Sequence, residues 1–480
     1  MQSDSDSQST VPVSEIATRH LRRLRSAASE FLGKDVNAAV ITVPTDFSDQ
    51  QRKALTKSSK AAGIDVLQFI HEPVAAVLAY DARPDAKISD KMVVVADLGG
   101  TRSDVAVVAS RGGIYSILAT AHDYSLGGAQ LDQVLIDFFA KEFIKKHKTD
   151  PREDARSLAK LKLEAEATKK ALSLGTTASL SVESLADGID FSSTINRTRY
   201  ELLAGKVFGG ITRLVEGAVQ KAGLHVIDID EVILSGGTSH TPKAARALQS
   251  LFSPSTSIIS TSTFTNALDP SGLAARGAAI QASLIQEFEQ EDIEQSSHPM
   301  VTVTPHLTNA IGVVLVSAAT PNQTNETTIF RPLVEAETAV PARRTAVLEA
   351  PKAGGDVLVQ LCEGIREISI TKVEPKAKVD GKASSDEDED DDDDESEEEE
   401  EIPTKNWKVG KILGEAAVRG VSKGDDASAG GKNKKKKVEI EVMANVSADL
   451  SVQVTAREVG GKGGVRGGLE KVAVVENGSA

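Results

Sequence analysis

The sequence predicts an α/β domain followed by a β domain. Through about residue 290, short β-branched runs alternate with long stretches of helical periodicity, the signature of a sheet covered by helices. Beyond a Gln/Glu-rich stretch at 286–297 only short alternating runs remain, as strands of packed sheets require. Apolar residues make up 40 % of the 480-residue chain and aromatics only 4 %, so Val, Ile, Leu and Ala carry the core. A chain of this length exceeds one ordinary core, and two or three folded units are expected.

Val13, Ile16, Leu21, Leu24, Ala28 and Phe31 recur at helical spacing and stop at Gly33, predicting an amphipathic first helix with a glycine end. A strand over 36–43 closes at Pro44, and Ser48 opens a second helix that runs to Gly63. A strand at 66–70 and an Ala-rich helix from Pro73 to Tyr80 follow. The unbroken apolar run at 92–96 predicts a strand buried on both faces. Next come a hairpin over 105–120 turning at Gly112-Gly113, helices over 126–146 and 151–174, and a strand at 232–234 that ends in Gly236-Gly237. In the second part, strands are predicted at 301–303, 311–316, 345–348, 357–361, 368–373 and 409–413, with two more within 438–457.

A single cysteine, Cys362, excludes an internal disulfide and fits a reducing compartment. Residues 1–12 are polar, with no signal-like apolar core, and no run is long enough to span a bilayer; the expectation is a cytoplasmic protein without a membrane partner. The net charge of −15 is local, because residues 386–401 alone hold 15 carboxylates. The remainder is neutral, which excludes a polyanion-like surface. That acidic insert, 384–401, and a basic loop, 432–437, are expected to be solvated, as is the Gly-rich tail from 458. The basic loop could reach nucleic acid only through a ribosome contact.

Asp97-Leu98-Gly99-Gly100-Thr101 directly follows the doubly buried strand. Paired glycines there expose backbone N–H groups that can cradle phosphate oxygens, and the carboxylate can hold a metal ion or its waters; an ordinary turn is the alternative. Gly127-Gly128 precedes a helix, and Gly236-Gly237-Thr238 follows another buried strand. Glu166, Lys169, Lys170 and Ser173 stand at i, i+3, i+4 and i+7, on one helix face that suits a nucleoside, or simply a solvated face carrying a Glu/Lys pair.

The segments Asn37-Ala-Ala-Val-Ile-Thr-Val-Pro44, Phe47-Ser-Asp-Gln-Gln-Arg52 and His71-Glu-Pro-Val-Ala-Ala-Val-Leu-Ala-Tyr80 closely resemble signatures of the DnaK-like heat-shock protein 70 family. Asp97-Leu-Gly-Gly100, Leu126-Gly-Gly128, the helix face ending at Ser173, Leu234-Ser-Gly-Gly-Thr238 and Gly277-Ala-Ala-Ile-Gln-Ala282 follow in family order. The resemblance implies an actin-like ATPase domain at 13–285, with an incomplete first lobe. It further implies a linker at 286–297 and a β-sandwich, peptide-binding-like domain at 298–457. It also implies ATP and magnesium as ligands: Gly99, Gly100, Gly127 and Gly128 at phosphates, and Asp97 at the metal's water shell. Glu166, Lys169, Lys170, Ser173, Gly236, Gly237, Thr238 and His240 would meet the adenosine.

Departures stand at the same motifs. Thr101 replaces a glycine, Arg102 a threonine and His240 an arginine, and Arg102 becomes a candidate phosphate partner. The family's first phosphate hairpin, its catalytic lysine and its lid have no counterpart here. The altered phosphate turn, an abbreviated β domain and the missing lid together resemble the fungal Ssz branch of the ribosome-associated complex. The implied function is ATP binding without significant hydrolysis, alongside a zuotin-like J-protein co-chaperone, the ribosome and nascent polypeptide. An ordinary ATP-driven chaperone represented by an incomplete sequence, and a nucleotide-free scaffold, are the alternatives.

Overall fold

The computed structural model describes residues 11–84, 86, 89–264, 266–286, 307–317, 330–350, 355–373, 400–422, 438–447 and 450–460. The chain divides into two compact units, 1–302 and 303–480.

In the first unit the elements run α1 (Val13–Leu32), β1 (Ala38–Val43), α2 (Asp49–Ala61), β2 (Asp65–His71), α3 (Glu72–Asp81), β3 (Lys91–Leu98), β4 (Ser103–Arg111) and β5 (Ile114–Asp123). They continue as α4 (Gly128–His147), α5 (Ala155–Leu174), β6 (Thr177–Ala186), β7 (Ile189–Asn196), α6 (Arg197–Leu203), α7 (Gly205–Lys221), β8 (Glu231–Ser235), α8 (Pro242–Gln249), β9 (Ser257–Ile259) and α9 (Leu273–Gln286).

The principal sheet has the order β5-β4-β3-β8-β9. β3 pairs antiparallel with β4 and parallel with β8, while β1 and β2 form a separate parallel pair. β3 is central, and its side chains feed two cores. Val94, Ala96 and Leu98 join the cluster built by α4, α5 and α7, whereas Val93 and Val95 join Ala76, Val77 and Tyr80 of α3 on the other face. Two covered faces explain why its apolar run is unbroken.

Local chemistry sets the boundaries. Ser48 caps α2 in a reciprocal box with Gln51, and Gly33 ends α1 in the left-handed conformation at φ 63°. The helix expected from residue 151 starts at Ala155, because Asp154 accepts the Ser157 N–H and acts as its cap. The apolar stripe of α1 finds no core. Among its residues only Thr18 is buried, while Val13, Ile16, Leu24 and Phe31 are exposed. The helix meets α2 through polar contacts instead: the Ser58 hydroxyl donates to the Ser14 carbonyl at 3.5 Å and Arg22 donates to the Ala61 carbonyl at 3.3 Å.

The second unit contains β10 (Ala310–Ser317), β11 (Arg331–Val334), β12 (Ala342–Glu349), β13 (Gly355–Val373), β14 (Glu400–Val421), β15 (Glu439–Val446) and β16 (Val452–Glu458). They form two sheets, β11-β10-β13-β14 and β12-β15-β16. Ile311, Val313, Val359 and Leu361 from the first share one buried cluster with Ile440, Val442 and Val454 from the second. The runs at 357–361 and 368–373, expected as separate strands, are one strand, β13, because β14 pairs with it along nearly its whole length. Cys362 lies buried with Val314, Phe330 and Trp407, and burial pushes its thiol up, as suits an inert packing residue.

The acidic run is shorter than expected at its end, since Glu400 and Glu401 belong to β14 opposite Val373 and Lys372. The strand expected at 301–303, the linker at 286–297 apart from Gln286, the acidic run at 384–399, the basic loop at 432–437 and the tail from 461 lie outside the described residues.

The contact of α9 with α3 leaves no room for a side chain at Gly277, whose added Cβ would overlap the Ala75 carbonyl oxygen. Gly277→Ala should therefore destabilise the first unit by about 1–3 kcal/mol in urea unfolding, despite the better helix propensity of alanine. An unchanged midpoint would show that the two helices separate at little cost.

Candidate functional site

β3 and β8 run parallel, with Asp97 opposite Ser235, so the turns that follow them emerge at the same end of the sheet. Ligands of open α/β sheets sit outside the carboxyl ends of strands. The Gly99 N–H donates to the Arg102 carbonyl at 3.0 Å, closing the first turn. The Gly128 and Ala129 N–H groups donate back to the Gly99 and Gly100 carbonyls at 3.0 and 2.7 Å, and the Thr238 hydroxyl donates to the Gly99 carbonyl at 2.9 Å. All three glycine turns are thus joined directly.

Their glycines are required by space. A Cβ on Gly127 would stand 2.8 Å from the Gly100 carbonyl oxygen, and one on Gly128 2.9 Å from the Thr238 hydroxyl. Gly236 adopts φ 82°, and its Cβ would stand 2.5 Å from Asp97 Oδ1.

Beside these turns lies a cavity of about 660 Å³, a size suited to a nucleotide. Eight of the expected residues line it: Gly100, Glu166, Lys169, Lys170, Ser173, Gly237, Thr238 and His240. Asp97, Gly99, Gly127, Gly128 and Gly236 shape the adjoining turns instead. Sequence reasoning missed Leu174, Thr261, Ser262 and Ser271, which also line the cavity. Thr261 and Ser262 follow β9 and Ser271 sits in a short 3₁₀ turn before α9, so none of the three carries a periodic signal.

The α5 face is only partly free. Lys169 is tied to Asp132 at 2.8 Å and donates to the Gly128 carbonyl at 3.2 Å, so it braces α5 against α4. Glu166 and Lys170 pair with each other at 2.8 Å on an exposed surface. The Ser173 hydroxyl donates to the Lys169 carbonyl at 3.3 Å, and His240 Nε2 lies 3.1 Å from the Ser271 hydroxyl.

Around Asp97 the charge is dense. Asp46, Glu72, Asp97 and Asp104 all act electrostatically on one another or on Arg102. Asp97 accepts the Ser235 hydroxyl at 3.0 Å, and burial raises its pKa above the ordinary value. Burial, reinforced by Asp97 and Asp104, pushes the Glu72 carboxyl up to about 7. Arg102 does not face a phosphate position unpaired. It is engaged by Asp104, Asp46 and Tyr124.

The cavity and its glycine turns fit the nucleoside and phosphates of ATP. Magnesium fits poorly. It keeps several waters in near-octahedral geometry and is usually held through carboxylates with free oxygens. Both oxygens of Asp104 are already occupied by Arg102.

A mixed sheet with glycine turns joined at its carboxyl end, beside a nucleotide-sized cavity, defines a nucleotide-cleft protein, and the Hsp70 protein family model matches residues 2–379. The chain belongs to the Hsp70 family, whose members are nucleotide-binding ATPases that generally use ATP with magnesium. It is 40 % identical over 458 residues to the ribosome-associated complex subunit SSZ1 of Saccharomyces cerevisiae, covering 95 % of this chain and 79 % of that protein. A heat shock protein 70 homolog of Schizosaccharomyces pombe is 48 % identical over 373 residues, covering 78 % of this chain and 64 % of that protein. Heat shock 70 kDa protein 14 of Homo sapiens is 33 % identical over 349 residues, covering 73 % and 65 %. The chain thus spans just under two thirds of the fission-yeast and human relatives. Among the described residues no helix is long and apolar enough to cross a membrane.

The raised Glu72 carboxyl has a defined sign. Between its unfolded value near 4.5 and about 7 the folded chain binds more protons than the unfolded one, so this group's contribution to stability falls as pH rises through that window. Glu72→Gln removes the effect. Relative to the native protein, the variant should gain up to about 3 kcal/mol of stability between pH 5 and pH 8. Parallel stability profiles for the two proteins would place Glu72 in a more hydrated setting.

Proposed function

We propose that this chain is an atypical Hsp70-family chaperone component that binds ATP without significant hydrolysis. It acts with a J-protein in the ribosome-associated folding of nascent chains. The observation that carries the nucleotide reading is the direct joining of three glycine turns beside one cavity lined by Glu166, Lys169, Lys170, Ser173 and His240.

In this reading the Gly99-Gly100 and Gly127-Gly128 turns hold the phosphates. Thr238 fixes the turn geometry, while Ser173, Gly237 and His240 meet the nucleoside. The absence of turnover follows from charge. Hydrolysis needs a water aligned on the terminal phosphate by groups of matched pKa and free lone pairs. Asp104 is committed to Arg102, and half-buried Asp97 accepts the Ser235 hydroxyl. The ribosome and the J-protein enter through the relative named as a ribosome-associated complex subunit and through the resemblance to the Ssz branch.

The domain assignment belongs to the same proposal: a nucleotide-binding domain of actin-like fold at 13–285, a linker at 286–297 and a peptide-binding β-sandwich at 298–457. Two sheets that share one apolar cluster support the last of these. A cytoplasmic location fits this assembly.

Calorimetric titration with ATP, paired with a phosphate-release assay, tests the reading. Saturable binding is expected with release indistinguishable from a blank. Ser173→Trp, which fills part of the cavity, should weaken binding by about tenfold or more without lowering the melting temperature. Steady turnover would restore the ordinary chaperone reading, and the absence of any saturable binding would favour a nucleotide-free scaffold.

A further inference from the structure

Arg102 follows the glycine pair of the first turn, and each nitrogen of its guanidinium donates to protein. Nε donates to Asp104 Oδ2 at 2.6 Å, and Nη2 donates both to Asp104 Oδ1 and to Asp46 Oδ1, the latter at 3.1 Å. Nη1 donates to the Tyr124 hydroxyl at 2.7 Å, and the guanidinium carbon lies 4.9 Å from the centre of the Tyr124 ring. These partners come from three segments: the loop after β1, β4 itself and the loop after β5. The side chain is 18 % exposed, so the cation is fixed in place rather than swinging at the surface.

A planar fork that meets both oxygens of one carboxylate is the strongest pairing available to that group, and it leaves Asp104 no oxygen facing away from a positive charge. In the β3–β4 register Asp104 stands directly opposite Asp97. Unneutralised carboxylates at that spacing would repel, and a bound divalent cation is one common way to hold them together. Arg102 offsets that repulsion by binding Asp104 directly and by favouring the charged form of Asp97 through space. Among the described residues no group of three or more His, Cys, Asp or Glu side chains is arranged to hold a metal ion.

We propose that Arg102 is a built-in counter-ion that takes the place of a divalent cation in this cleft, so that the site holds a nucleoside triphosphate independently of metal. The ligand in this statement rests on the nucleotide reading above, whereas the replacement of a metal by Arg102 stands on the protein's own charges. Because the cation is covalently part of the chain, it cannot leave with a product phosphate. The cleft then keeps one charge state instead of cycling between metal-loaded and metal-free forms.

Manganese, whose paramagnetism reports binding directly, is the probe. In titrations of the full chain without nucleotide, followed by electron paramagnetic resonance, Arg102→Thr should bind Mn²⁺ at least about tenfold more tightly than the native protein. Arg102→Gln, which removes the charge but keeps a hydrogen-bonding amide, should behave likewise and serves if the threonine variant is poorly folded. Arg102→Lys keeps the charge and should stay as weak as the native chain. Equal Mn²⁺ affinity in the native and neutral variants, including no binding in either, overturns the proposal. A second arm compares the affinity for a fluorescent ATP analogue in magnesium and in EDTA. The native ratio should stay within about twofold, while Arg102→Thr should depend on magnesium by about tenfold. A native protein that needs magnesium overturns the proposal too. If neither protein binds the analogue, the nucleotide reading fails, and the manganese arm alone decides the role of Arg102.

Discussion

The parallel pairing of β3 with β8, which sets Asp97 against Ser235, is the constraint from which the first unit's architecture and its site both follow. A parallel pair requires a long crossover, and the chain between these strands supplies α4, α5, the β6-β7 hairpin, α6 and α7, which cover one face of the sheet. The other face is covered chiefly by α3, with Leu273 at the start of α9. With both faces covered, the strand ends are where backbone groups can reach a ligand. The glycines gather there because three turns must approach one another at hydrogen-bond distance, which a Cβ would prevent at Gly127, Gly128 and Gly236.

That close approach concentrates charge as well. Asp97 and Asp104 face each other across β3 and β4, Glu72 opens α3 beside them, and Asp46 enters from the loop after β1. Burial alone would force protons onto several of these carboxylates. The molecule divides the problem: Arg102 neutralises Asp46 and Asp104, and lowers the Asp46 pKa chiefly by its hydrogen bond, while Glu72 is left to take up a proton near neutrality. The same arginine ties up both carboxylate oxygens of Asp104.

The second unit is held by a different device. Its two sheets contribute alternate residues to one cluster, so the period-two pattern of β15, with Ile440, Val442 and Ala444 inward, is a direct record of having one buried face. β10 differs, since Ile311 and Val313 join the main cluster while Val314 joins Phe330, Cys362 and Trp407 on the opposite face. Gly312 and Gly364 lie against Phe330, where a Cβ would clash with the ring. This second apolar layer accounts for the burial of the single cysteine.

Local patterns in the sequence were sufficient for β3, for the start of α2 at Ser48, for the glycine stop of α1 and for the helical face that carries Glu166, Lys169, Lys170 and Ser173. Each of these depends on residues within a few positions of one another. The joining of 357–361 and 368–373 into one strand was not legible, because continuity across Gly364 depends on the partner β14, some forty residues further on. The exposure of the α1 stripe was equally hidden: periodicity records an apolar face but not whether anything packs on it. Thr261, Ser262 and Ser271 reach the cavity only through the placement of α9 and β9. Arg102 is the sharpest case. The sequence determined that a cation stands in the glycine turn after β3, but its pairing with Asp46, Asp104 and Tyr124 was decided by tertiary structure. Asp46 and Tyr124 come from other segments, and only folding brings their oxygen atoms within hydrogen-bond range of it.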